Sequence, residues 1–183
     1  MNNRLTSEQK RKALKTIEWV VLIFVCVVYV YNLIHLTLFR FVSLRDLLSH
    51  EPVPRNFTHG LNLVPFSDWN VNRPYMIQDI ILNTLLFFPF GFLLQMVFGG
   101  KKPHWSALLV PAVVSVGIET AQYCFVLGAA DVTDVISNTF GAWLGCLCYL
   151  LWQRIFGKNF EKAKRVLLCC LGVVALLVLC LNI

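Results

Sequence analysis

No cysteine lies in a connecting segment of this chain. All seven (Cys26, Cys124, Cys146, Cys148, Cys169, Cys170 and Cys180) fall inside apolar runs, without paired spacing and without partnering histidines. That pattern speaks against a zinc ribbon or a disulfide framework and leaves cysteine as a small packing residue. Also missing are a glycine loop to cradle phosphate and a nucleophile and base at recognisable spacing, which weakens the case for an enzyme. There is no internal repeat and no low-complexity tract, so the inverted halves of many transporters are not visible. The formal net charge of +6 could suggest nucleic acid, but the basic residues flank apolar runs and no aromatic-basic surface module accompanies them. Topology and anionic lipid account for the charge, and no nucleic-acid partner is expected.

What is present in excess is apolar material: 57% of the 183 residues are hydrophobic and the mean hydropathy is +0.66, more than a soluble domain of this size can bury. Five segments, near 17–39, 77–98, 106–127, 134–153 and 166–182, are long enough to cross a hydrocarbon layer about 30 Å thick at about 1.5 Å per residue. The first follows basic residues as a signal peptide would, but its apolar core is too long and no small-residue cleavage site follows, so a retained helix is expected. The fold class is therefore all-α: a single, polytopic helical membrane domain with about five transmembrane helices. The last segment is short for a full span, and its basic flank places that end on the cytoplasmic side.

Most of the 16 lysines and arginines fall in the amino-terminal arm, around Lys101 and Lys102, or between Arg154 and Arg165, all on one side of a five-span chain. The positive-inside rule makes that side cytoplasmic, with the amino terminus inside and the carboxyl terminus outside. On the outer side, "RFVSLRDLLSH" at 40–50 has the pattern of a short interfacial helix, and the proline-bearing stretch that follows excludes a continuous helix. Trp69 and Tyr75 near its end suit the headgroup layer.

Polar residues converge at one depth. Asp79 lies near the outer interface with Asn83 roughly 6 to 9 Å deeper, while Glu119 and Gln122 lie roughly 7 to 12 Å below the same surface. In "DVTDVISNTFGAWLG" at 131–145, Asp131, Asp134, Asn138, Gly141 and Gly145 follow steps of three and four along one face, polar first and then small. Ser115, Glu119 and Gln122 share a face of their own, and a glutamate turned to lipid would cost about 2.5 kcal/mol or more, so this face should point inward. Pro89 and Pro111 each free a helical carbonyl and allow a bend.

Structural readings compete with functional ones. Asn83 and Asn138 serve equally well as interhelical hydrogen-bonding groups, and Gly141 and Gly145 as a small-xxx-small packing pair. Asp131 and Asp134 also suit a helix start, where acidic residues complement the positive end. His35 and His59 are isolated, and a structural or interfacial role is favoured for both.

Taken in order, "NLVPF" at 62–66, "NTLLFFPFGFLL" at 83–94, "GIETAQ" at 117–122 and "DVTDVISNTFGAWLG" resemble the VanZ-like family of bacterial membrane proteins. The resemblance runs from about 60 to 153 and leaves the first and last spans outside. It implies a bacterial cytoplasmic-membrane location and a site built from Asn62, Pro65, Phe66, Asn83, Glu119, Gln122, Asp131, Asp134 and Asn138. It also implies an association with resistance to the glycopeptide teicoplanin, the trait of the member for which the family is named. Many relatives carry an arginine shortly before the first aspartate, where this chain has "LGAAD"; Arg55 or Arg73 would have to substitute for it.

The leading expectation is an outer-leaflet polar pocket that binds, and could modify, a membrane lipid or lipid-linked envelope precursor. Glu119 would serve as acid or base, and Asp131 and Asp134 would hold a divalent cation bridging to phosphate. The alternatives are a small proton-coupled transporter, completed by homo-oligomerisation, and a structural subunit with a membrane partner.

Overall fold

The computed structural model describes residues 6–38, 60–67 and 76–181. The interfacial helix expected near 40–50, Trp69, Tyr75, His59, Arg55 and Arg73 all lie outside the described residues. Among the described residues there are five long helices, α1 (Ser7–Leu38), α2 (Met76–Phe98), α3 (Ser106–Cys124), α4 (Val132–Phe156) and α5 (Phe160–Leu181), with short strands β1 (Leu61–Asn62) and β2 (Ala130–Asp131). Among the described residues four stretches are long and apolar enough to cross a membrane: α1, α2, α3 and the 49 residues Val132–Cys180, which take in α4 and nearly all of α5. As one straight helix those 49 residues would span about 73 Å, more than twice a hydrocarbon layer. Gly157, at φ 44°, interrupts them with a single 3-10 turn over Gly157–Asn159. The protein is an all-α membrane protein, and exposed apolar side chains line every helix, among them Val20, Leu85, Val113, Ile155 and Leu176.

Each helix boundary has a local cause. The amide of Thr6 donates to Gln9 Oε1 at 2.8 Å and the amide of Gln9 to Thr6 Oγ1 at 3.3 Å, a reciprocal capping box that starts α1 ten residues before its apolar core. With 32 residues, α1 is about 48 Å long, so its basic first turns extend beyond the hydrocarbon. The third helix ends at Cys124, where Leu127 N donates to Gln122 O at 2.9 Å and Val126 N to Tyr123 O at 3.3 Å. That is a Schellman closure with Val126, at φ 56°, in the left-handed place usually given to glycine. It cuts the helix short of the 127 expected from apolarity alone. Between α2 and α3, the fully buried Gln95 donates to Gly99 O at 2.9 Å and Lys102 O at 3.0 Å, and its oxygen accepts from His104 N at 3.1 Å.

By contacts, residues 1–31 with 153–183 form one unit and residues 32–152 another. Within the first, Arg165 and Lys164 pair with Glu18, and Val21 packs on Gly172. The two contacts follow the same order in both helices, so α1 and α5 run parallel there. The second unit contains the strands, most of α4 and all of α2 and α3. A Cβ added to Gly91 would strike the Ala142 backbone, one at Gly141 the Thr84 backbone, and one at Gly145 the Phe88 backbone. Here α2 and α4 run parallel in backbone contact, and Phe92 meets Tyr149 edge-on at 5.3 Å on the same seam.

Candidate functional site

Asp131 is the point from which the site is assembled. It lies in β2, one residue before α4, rather than on the helical face where its spacing had placed it. Its Oδ1 accepts the Thr133 amide at 2.7 Å, which caps α4. Its Oδ2 accepts Asn62 Nδ2 at 2.9 Å, and its own amide donates to Glu119 Oε2 at 2.9 Å. One aspartate thus ties the loop carrying β1 to the start of α4 and to α3. The parallel pairing of Leu61 with Ala130 and of Asn62 with Asp131 holds the same junction through the backbone.

Asn62 also organises its own turn, donating to Ser67 Oγ at 2.8 Å and accepting the Val64 amide at 3.2 Å. The turn continues through Pro65 to Phe66, whose backbone sits at φ 55° and whose amide donates to Thr133 Oγ1 at 3.1 Å. A left-handed phenylalanine is strained, and the strain is held by the hydrogen bonds around it. Asn62, Pro65 and Phe66 therefore brace the start of α4.

Behind this brace, and within the second unit, lies a cavity of about 600 Å³. Asp79, Asn83, Glu119, Gln122, Asp134 and Asn138 supply its polar lining, and Leu36, Leu82, Leu86, Ile118 and Leu127 its apolar walls. Asn83 on α2 lies close to the Asp134 carboxyl on α4. Asn138 Nδ2 donates to the buried Ser115 Oγ at 2.8 Å, and Gln122 Nε2 donates to the Thr37 carbonyl at 3.1 Å. Glu119 is only 8% exposed. Asp134 is in electrostatic range of Asp79 and Asp131, and Glu119 of Asp131 and Asp134.

The structure thus places Asn83, Glu119, Gln122, Asp134 and Asn138 around one cavity, while Asn62, Pro65, Phe66 and Asp131 form the brace beside it. Among the described residues no three histidine, cysteine, aspartate or glutamate side chains are grouped as metal ligands. Sequence reasoning passed over Thr133 and Thr37. Thr133 sits between two conspicuous aspartates as an ordinary helix residue, and Thr37 contributes a backbone carbonyl, for which a sequence carries no signal.

A profile of the VanZ/LLP1 family matches residues 21–153, a stretch that holds every residue of the cavity and the brace. The chain belongs to the VanZ/LLP1 family. It is 37% identical over 111 residues to Protein VanZ of Enterococcus faecium, an alignment that covers 60% of this chain and 63% of that protein, so less than two thirds of the relative's length is represented. No solved structure matches the chain. The VanZ/LLP1 match begins inside α1, upstream of the motif block at 60–153, and takes in Leu36 and Thr37, which line or support the cavity.

Proposed function

We propose that this VanZ/LLP1 protein resides in the bacterial cytoplasmic membrane and holds, in the outer leaflet, the polar head of a lipid-linked or cell-envelope molecule. The cavity between α2, α3 and α4 carries this reading: a space of about 600 Å³ whose carboxyls and amides come from separate helices and are braced by a clamped loop. A volume of that size suits a small headgroup, and apolar walls beside polar groups suit a molecule with one foot in lipid. Orientation follows from charge. With the basic arm of α1 and the Lys158–Arg165 region on the cytoplasmic side, the brace and cavity face outward.

Recognition is favoured over catalysis, because the described lining residues offer carboxyl and amide groups, and the one lining hydroxyl among them, Thr37, is turned onto the Leu33 carbonyl. Asp131, with each oxygen accepting a hydrogen bond, acts as a positioning residue. The family's association with teicoplanin resistance points to the same compartment, since an envelope-acting glycopeptide meets the cell from outside.

The test is native mass spectrometry of the purified protein with identification of retained lipid, comparing wild type with Glu119→Gln and Asp134→Asn. Both substitutions keep the shape and one acceptor oxygen while replacing the other with an amide nitrogen. One envelope lipid retained by wild type and lost from both variants is the expected result. Equal lipid profiles in all three folded proteins would reject the pocket as a binding site.

A further inference from the structure

The turn of the brace and the closure of α3 both present apolar side chains outward. Leu61, Leu63, Val64 and Phe66 on the turn, and Phe125 and Val126 on the closure, are 40–68% exposed. The two segments are neighbours, joined by the Ala130 amide on the Gly60 carbonyl at 3.0 Å and by the pairing of Leu61 with Ala130. A water-facing surface carries charge, but residues 60–67 and 120–130 contain no aspartate, glutamate, lysine, arginine or histidine. Amides along both segments are closed internally. Val64 donates to the Asn62 side chain, Phe66 to Thr133 and Ser67 to the Val64 carbonyl, while Phe125, Val126 and Leu127 donate to the carbonyls of Ala121, Tyr123 and Gln122. Pro65 has no N–H to satisfy. Backbone that meets lipid has to be closed in this way, because no water is there to complete it.

Helix length sets the height of this rim. Phe125 stands about 30 Å along α3 from the exposed Trp105, and Thr133, which takes the Phe66 amide, about 28 Å along α4 from Trp152. A hydrocarbon layer is about 30 Å thick, so with Trp105 and Trp152 at the headgroups of one leaflet the rim reaches the acyl–headgroup boundary of the other. Apolar groups at that height gain by leaving water for acyl chains, and lipid is the occupant already present there around a membrane protein. We infer that Leu63, Val64, Phe66, Phe125 and Val126 form a non-helical anchor inserted among the lipids of that leaflet, the outer one by the charge bias. The anchor goes beyond the binding function proposed above and stands without it. Leu127 and Gly128, which follow Val126 and line the cavity, are thereby held near headgroup depth.

The full chain, with its seven native cysteines replaced, would carry a nitroxide spin label at Leu63→Cys, Val64→Cys or Phe125→Cys and be reconstituted into vesicles of phosphatidylethanolamine and phosphatidylglycerol. Val113→Cys, exposed midway along α3, serves as the lipid-facing reference, and Lys12→Cys, in the basic arm of α1, as the water-facing one. Power-saturation spectroscopy compares collisions with oxygen, which concentrates in lipid, and with a nickel chelate confined to water. The expected result is a loss of nickel collisions at the three rim sites relative to Lys12→Cys, with oxygen collisions dominant as at Val113→Cys. Nickel collisions dominating at the rim would put it in water and overturn the anchor. Exclusion of both reagents would also overturn it, assigning the surface to a second copy where dipolar broadening accompanies the exclusion and to cover by the chain itself where it does not. A benzophenone side chain at position 64 of the chain with its native cysteines tests the same contact without those replacements. Photo-crosslinking to phospholipid is expected there, and crosslinking only within or between protein chains overturns the anchor.

Discussion

Asn62 and Asp131 form a pair in which donor and acceptor can be exchanged. Asn62 gives its amide hydrogens to Asp131 Oδ2 and takes the Val64 amide on its own oxygen, while Asp131 Oδ1 caps α4 through Thr133. Asparagine at 131 would still cap the helix, and aspartate at 62 would still accept from Val64. Each single exchange, however, sets like groups face to face: two amide donors in Asp131→Asn, two carboxylates in Asn62→Asp. We expect each single variant to lose about 1–3 kcal/mol and the double exchange to recover most of it, giving a coupling of about 1 kcal/mol or more in a thermal-unfolding cycle. Additive losses would mean that the two side chains do not act on one another. At this scale the sequence was only partly legible. The spacing of Asp131, Asp134 and Asn138 singled out the right residues, and two of them line the cavity. Asp131 was assigned to a helical face because a capping aspartate and a first-turn aspartate differ by one position, and the step of three to Asp134 reads the same for either.

Helix contacts were legible in one direction. Gly141 and Gly145, four apart, announce a face where a backbone can approach, and α2 approaches there. Gly91, the α2 residue that makes the contact reciprocal, carries no such sign, since a lone glycine has no period. Two-residue strands lie below the length at which alternation can be detected, and Gln95, near the end of α2, looks like an interfacial residue until its three loop partners are known. The seam yields a paired prediction. Gly145→Ala would place a methyl group inside the Phe88 backbone and force α2 and α4 apart, so a loss of about 1–3 kcal/mol or more is expected. Gly117→Ala, in α3, meets nothing within 4 Å and should gain up to about 1 kcal/mol from helix propensity. Melting temperatures in one detergent would compare them. Equal effects would show that backbone approach at Gly145 does not limit stability.

At the scale of the whole molecule the decisive question is which ends of the helices face outward, because the proposed function needs the brace and cavity on the outer side. Two internal relations bear on it. The parallel contact of α2 with α4, with α3 between them in sequence, requires α3 to cross the other way, and its antiparallel contacts agree: Glu119 meets Asp131 while Ser115 meets Asn138. The parallel contact of α1 with α5 has the same consequence for the ends of the chain, and Lys164 and Arg165 on Glu18 place basic residues beside the basic arm. Positive charge on that side then sets the direction: Ala129, beside the cavity, should face outward and Lys158, at the Gly157 break, inward. Replacing the seven native cysteines and introducing Ala129→Cys or Lys158→Cys allows a direct reading with a membrane-impermeant maleimide. Labelling of Ala129→Cys in intact bacteria, with Lys158→Cys labelled only after lysis, is the expected pattern. The reverse pattern would put the cavity in the inner leaflet, where an envelope ligand arriving from outside could not reach it.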